Sequence, residues 1–276
     1  DPLIQALIGQ DEAGRIHASQ KLIEAGPTAV SALIVSMDKH PDERGKVVYE
    51  TLFRLVQQPG TRGQQGQVAN QLTHQLQPGY SIETRRRICR LLAYVGDTEC
   101  VETLYRVLAD EELGETVRQT LVQIPSRNAT EALVGGLQLV VGDPLIALVN
   151  AIGERADRLA VPSVRLGAER GEGPLREASM AALARMADKA ALESLRKATK
   201  ADESGAVRAL LDLGETLTNA DMQAEAREAF REAAGRATIE MLDVCRIAHG
   251  LGRVGEVQDV RWLLDRIGEK DRWGTA

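Results

Sequence analysis

Residues 84–110 read TRRRICRLLAYVGDTECVETLYRVLAD. A helix that is apolar on one face ends at Val95, Gly96-Asp97 makes a turn, and a second helix runs from about Thr98 to Ala109. Two short helices joined this way cannot bury their own apolar faces. They must stack on neighbours of the same kind.

The neighbours are in the sequence. The unit recurs about every thirty residues. Val95, Ile124, Ile152 and Met186 close the first helices of successive units, and Leu104, Leu133, Val161 and Leu195 stand nine residues further on in each. One offset kept over four units is hard to obtain by chance. The expected fold is all-α: a right-handed α-solenoid of about eight stacked antiparallel helix pairs. Residues 1–10 read as an N-terminal cap, 11–203 as regular repeats, 204–268 as looser repeats with a C-terminal cap, and 269–276 as a polar tail, all in one domain.

Helix starts have local signals. Pro27 after Gly26 fits a first-turn proline, where the missing N–H costs little, and Asp143 and Gly173 read as N-caps each followed by such a proline, Pro144 and Pro174. One turn stands out. Gln57 to Gln67, QQPGTRGQQGQ, holds too little apolar surface to order itself and reads as a mobile insertion.

Composition agrees. Aromatics are 3% of residues, so small aliphatic side chains carry the core, and no alternating strand pattern is evident. The net charge of −6 argues against general affinity for nucleic acid, which needs clustered Lys and Arg. No apolar stretch approaches the ~20 residues that span a bilayer. The three cysteines, Cys89, Cys100 and Cys245, show no C-x-x-C spacing and read as small buried thiols. The chain begins at Asp1 rather than Met, which is read as a missing upstream segment. The compartment, cytoplasmic or exported, and the oligomeric state stay open.

The units resemble HEAT repeats, particularly the short bacterial kind also found in phycobilisome lyases. The resemblance rests on the Arg before the first apolar run (Arg86, Arg118, Arg176), the Gly-Asp-like turn (Gly96-Asp97, Gly153-Glu154, Ala187-Asp188) and the V-x-x-L after it (Val101, Leu104). The stretch AEAREAFREAAGRA, 224–237, is similar to the second helix of a tetratricopeptide repeat. The resemblance implies a scaffold or adaptor. A minority of HEAT-like proteins are enzymes, including bilin lyases and a DNA glycosylase group, but no catalytic motif carries over residue by residue.

Candidate chemistry is thin. Gly250-Leu251-Gly252-Arg253-Val254-Gly255 matches G-x-G-x-x-G, but the residues before it read as helix rather than strand, so the glycines belong to a helix end and turn. His249 lies four residues after Cys245 with no third ligand in view. Arg85, Arg86, Arg87 and Arg90 form the densest basic cluster, either a solvated face with Glu83 or a docking patch for an acidic partner. Glu225, Arg227, Glu228, Arg231 and Glu232 look like exposed ion pairs along one helix.

The expected function is therefore non-enzymatic, without cofactor, metal or catalytic residue. Second helices would line a concave face that grips a protein or peptide. Interfaces concentrate energy in aromatic and Arg anchors, so Tyr105, Arg106, Arg165, Arg196, Arg227 and Trp262, all on second helices, are the candidate partner-binding residues. The alternatives are a bilin-lyase-like enzyme or chaperone, and a structural spacer in a larger secreted assembly.

Overall fold

A computed structural model of the chain describes residues 1–58, 62–76, 78–200, 205–235 and 241–268. The expected polar tail, 269–276, lies outside these residues. Every regular element among them is helical. The chain divides into two compact units, Asp1–Val140 and Val141–Ala276.

Unit 1 opens with α1 (Pro2–Leu7), which packs on α2 (Glu12–Ala25) and α3 (Pro27–Lys39) through the buried Ile4 and Leu7. Three more pairs follow: α4 (Glu43–Gln57) with α5 (Arg62–His74), α6 (Ile82–Val95) with α7 (Thr98–Arg106), and α8 (Gly114–Gln123) with α9 (Arg127–Gly136). First helices pack on first helices, second on second, and each second helix also meets the next first helix. This is the repeat stacking that the sequence spacing predicts. Polar side chains join the first helices in their buried seam. Ser19 and Thr51 share a hydrogen bond of 3.1 Å, and the Thr120 hydroxyl donates to the Cys89 carbonyl at 3.0 Å. Aspartate or serine caps α2, α4, α6, α7 and α9 at Asp11, Asp42, Ser81, Asp97 and Ser126.

Unit 2 repeats the pattern with α10 (Asp143–Arg155), a single 3-10 turn at Arg158–Ala160, and α11 (Val161–Arg170). Then come α12 (Gly173–Ala184) with α13 (Lys189–Lys200), α14 (Ala206–Asn219) with α15 (Gln223–Ala234), and α16 (Met241–Val254) with α17 (Val257–Gly268). First helices α10, α12, α14 and α16 stack in order, as do second helices α11, α13 and α15. Gly153 of α10 lies where an added Cβ would come 2.8 Å from Ala182 of α12, so the helices touch through small residues.

All eight residues of the nine-residue register are buried, from Val95 and Leu104 to Met186 and Leu195. At roughly 1.5–3 kcal/mol for each fully buried aliphatic side chain, this repeated pair anchors each unit's core.

Three local expectations shift. Helix α5 already begins at Arg62, so the insertion expected at 57–67 is helical from there on, while residues 59–61 lie outside the described part. Burial of Val68, Ala69 and Leu72 draws the weak helix formers before them into the helix. Gly142, at φ 66°, is the N-cap of α10, which makes Asp143 its first residue rather than its cap. The α12 helix likewise starts at Gly173 behind Glu172. Pro27 stands at the first position of α3 as expected, behind Gly26 at φ 61°.

Candidate functional site

Tyr49 and Phe53 lie one turn apart on α4, flanking the buried stripe of Val48, Leu52 and Leu55 that packs into unit 1. Their rings stack with centroids 6.4 Å apart. From α6, Tyr94 meets Phe53 edge to face at 5.2 Å and 88°. The Arg87 guanidinium stands over the Tyr49 ring, 5.6 Å from its centroid, and its Nε donates to Glu83 at 3.1 Å. Arg90 approaches the same carboxylate at 3.8 Å. Three rings and two guanidinium groups thus share one surface of α4 and α6.

The cluster has a fixed base and an open rim. The Arg87 side chain is 17% exposed, whereas Arg90 is 54% exposed and Tyr94 55%. Desolvation pushes the Tyr49 phenol above its usual pKa, against the pull of Arg90 and Arg87, so it stays a neutral hydrogen-bonding group. Glu83 is engaged by Arg87, which leaves most of the Arg90 fork open to solvent. Chemically, the surface offers ring faces to an apolar side chain and a cation beside them to a carboxylate.

The residues expected on second helices have different surroundings. Tyr105 lays its ring on Gly135 of α9, where an added Cβ would lie 3.3 Å from the ring and from its hydroxyl, so it packs adjacent repeats together. Arg106 is exposed and pairs with Glu102 one turn back. In unit 2, Arg165 is exposed and 3.8 Å from Glu169, which Lys197 of α13 approaches at the same distance. Arg196 of α13 reaches Glu232 at 3.3 Å and Glu228 at 3.7 Å on α15. Arg227 donates to the Val254 carbonyl at 2.8 Å and to Glu256 at 2.7 Å. Trp262 is half-buried on α17.

Arg196 and Arg227 therefore belong to a ladder of ion pairs along the second helices, which begins where Lys197 meets Glu169; Arg165 pairs with that same Glu169 along α11. Its last rung is Arg231, which donates from Nε and one terminal nitrogen to the two oxygens of the buried Asp259, at 2.7 and 2.9 Å. On α15, Glu228 and Glu232 meet Arg196 of α13, and Arg227 and Arg231 meet Glu256 and Asp259 at the start of α17, partners that the spacing along one helix does not suggest. Two-point Arg–carboxylate pairs such as Arg231–Asp259 are the stronger kind. Tyr105 and Arg106 belong to unit 1.

The arginine cluster divides by role. Arg86 donates to the Glu112 carbonyl at 3.0 and 3.2 Å, tying α6 to the turn before α8, while Arg87 and Arg90 belong to the aromatic surface. The G-x-G-x-x-G match lies inside α16 and at its end, so its backbone N–H groups are spent within a helix. Cys245 is exposed. Cys89 and Cys100 are buried, and desolvation pushes both thiols up to about 12. Among the described residues no group of three His, Cys, Asp or Glu could hold a metal ion, and no helix is long and apolar enough to cross a membrane. A cavity of ≈ 230 Å³ opens between the ends of α2, α4 and α6, over Leu55, Val56, Val68 and Val95. It is smaller than the ~300–1,000 Å³ usual for small-molecule sites.

Sequence reasoning misses Tyr49, Phe53 and Tyr94. The four-residue spacing of Tyr49 and Phe53 is a visible cue, but the arrival of Tyr94 beside them depends on how α6 lies against α4.

No protein-family model matches the chain, and no curated protein matches it. Solved structures with related helical arrangements include an engineered protein (16% identity, 92% of this chain and 78% of that one, TM-score 0.42). Human deoxyhypusine hydroxylase in complex with glycerol is similar over 86% of this chain and 96% of its own, at 16% identity and a TM-score of 0.30. The CpcE–CpcF complex of phycocyanin lyase from Nostoc sp. PCC7120 is similar over 91% and 93%, at 17% identity and a TM-score of 0.33. At these scores none carries an argument about activity, and the fold of this chain rests on its own helices.

Proposed function

We propose that this chain is a HEAT-like, non-enzymatic scaffold that binds a protein or peptide, and that it does so through the α4–α6 surface. One observation carries the reading: three of the eight aromatic rings in the chain (two Trp, four Tyr, two Phe) cluster on that surface with two arginines, and Tyr94 and Arg90 remain more than half exposed. Aromatic and Arg side chains supply most of the energy at protein interfaces. The expected ligand is a segment presenting an apolar side chain to Phe53 and Tyr94 and a carboxylate to Arg90. The exposed Arg106 and Arg165 are secondary candidates. Tyr105, Arg196 and Arg227 are engaged within the repeats.

The test is a crosslinking capture from the host with three baits: the native chain, Phe53→Ala/Tyr94→Ala/Arg90→Glu, and Arg106→Glu/Arg165→Glu. A protein crosslinked to α4 or α6 by the native bait would then be purified and its affinity measured. Loss with the first variant alone supports this reading. Loss with the second alone moves the site to the second helices. A captured protein held equally by all three baits sinks both.

A further inference from the structure

The last described helix, α17, carries an exposed apolar stripe. Asp259 and Trp262 turn inward, Asp259 being held by Arg231 of α15. Half a turn round the helix, Val257, Val260 and Leu264 recur at i, i+3 and i+7 on a common stripe, 89%, 48% and 61% exposed. The first helix of unit 1 differs: α1 buries Ile4 and Leu7 and leaves Gln5 and Ala6 exposed. An apolar stripe along a helix is ordinarily covered by another element. Among the described residues nothing covers this stripe.

Its flank says what would. Arg261 and Asp265 lie one turn apart on the same side of the stripe, both exposed, and neither forms an ion pair within the described chain. Such a surface is complementary to itself. When two copies of α17 lie antiparallel, stripe on stripe, Arg261 of one copy meets Asp265 of the other, twice over, about a two-fold axis. An interface that repeats each contact by symmetry is the common way for a chain to cover its own apolar patch.

We propose that the α17 stripe is a self-association surface, covered by the α17 of a second copy in an antiparallel, two-fold arrangement. Three apolar side chains per copy make a small interface, so the dimer is weak and concentration-dependent.

Sedimentation equilibrium of the full chain over a wide concentration range tests it, with circular dichroism to confirm that each variant folds. The native chain should rise from one towards two chain masses. Val260→Glu should stay at one. Arg261→Asp places like charges together and should weaken association at least ~10-fold, for a 1.4 kcal/mol loss. Arg261→Asp/Asp265→Arg should recover it. A native chain that stays monomeric throughout overturns the proposal and leaves the stripe to another occupant. Association that survives Val260→Glu places the interface elsewhere. A double variant no tighter than Arg261→Asp removes the antiparallel arrangement.

Discussion

Phe230 of α15 occupies the space left by the missing side chain of Gly250 on α16: three of its ring carbons are the nearest atoms an added Cβ would meet, all inside normal contact distance. Gly214 of α14 lies against the same ring, with an added Cβ 2.8 Å from Cζ. The first glycine of the G-x-G-x-x-G match thus exists to admit a ring. Gly250→Ala sets two effects against each other. Helix propensity favours alanine by ~0.8–1 kcal/mol, while overpacking costs about 1–3 kcal/mol. The ring is buried and lies close to both glycines, which leaves it little room to shift, so Gly250→Ala should destabilise the chain in urea unfolding. In a Phe230→Leu background the penalty should shrink or change sign. Equal effects in both backgrounds would show that the ring is not the obstacle.

The Arg231–Asp259 pair should govern part of the acid stability. The hydrogen bonds from Arg231, acting against burial, hold the Asp259 carboxyl below its usual value. A carboxyl lowered in the folded state contributes stability above its unfolded pKa of about 3.9, and that contribution is lost as pH falls through the folded value. Asp259 also accepts the Glu256 N–H at 2.7 Å, so it fixes the start of α17. Asp259→Asn should cost roughly 1.5–3 kcal/mol at neutral pH, the range for hydrogen bonds to a charged group. The gap between native and variant urea midpoints should narrow below about pH 4. A gap that is constant with pH would mean that the charge contributes nothing.

Asp38, near the end of α3, supports the start of α6. It accepts from the Ser81 backbone N–H at 2.9 Å and from the Ser81 hydroxyl at 2.7 Å. Burial opposes its charge, but the hydrogen bonds from Ser81 and Thr84 outweigh burial and keep the carboxyl below its ordinary value. This joins the first pair of unit 1 to the third. Asp38→Ala should cost about 1 kcal/mol, as the loss of a helix cap does. Hydrogen exchange should accelerate at the first turn of α6 more than elsewhere in unit 1. Uniform acceleration would argue against a local cap.

The thiols should separate cleanly. Cys245 is exposed, while Cys89 and Cys100 are buried and pushed up to about 12. The thiolate is the reactive form. A thiol reagent at neutral pH should therefore label one cysteine per native chain quickly and all three in denaturant, with Cys245 identified by peptide mapping. Rapid labelling of Cys89 would show that the α6–α8 seam opens.

The helix pairs and their register are legible in the sequence because apolar spacing along one helix dictates which side is buried, and all eight register residues are buried. What the sequence hides depends on relations between helices. Arg227 and Arg231 sit among carboxylates at helical spacing, which suggests pairs along α15, yet their partners Glu256 and Asp259 are 25 to 29 residues away in sequence. Tyr105 carries the mark of an exposed anchor, yet the absence of a side chain at Gly135 lets its ring settle on α9. The α4–α6 aromatic cluster is hidden for the same reason, since Tyr94 meets Phe53 only once the two helices are side by side.

That cluster yields a prediction that separates a binding role from a packing role. Tyr94 is 55% exposed and touches Phe53 only at an edge. Substitutions at such surface positions usually change stability by no more than ~0.5 kcal/mol, and an edge-to-face ring pair adds about 0.5–1.5 kcal/mol. Tyr94→Ala should therefore cost no more than about 1.5 kcal/mol in urea unfolding. A central aromatic anchor of an interface, by contrast, costs 2 kcal/mol or more when truncated, which is roughly a 30-fold loss of affinity. The expected result is a variant that is nearly as stable as the native chain and binds the identified partner at least ~10-fold more weakly. Leu91→Ala, in the same helix but buried, should show the reverse: a stability loss of ~2–5 kcal/mol with partner affinity preserved wherever the chain stays folded. A Tyr94→Ala variant that loses stability and keeps its affinity would assign the cluster to packing and return the search for the interface to the exposed Arg106 and Arg165.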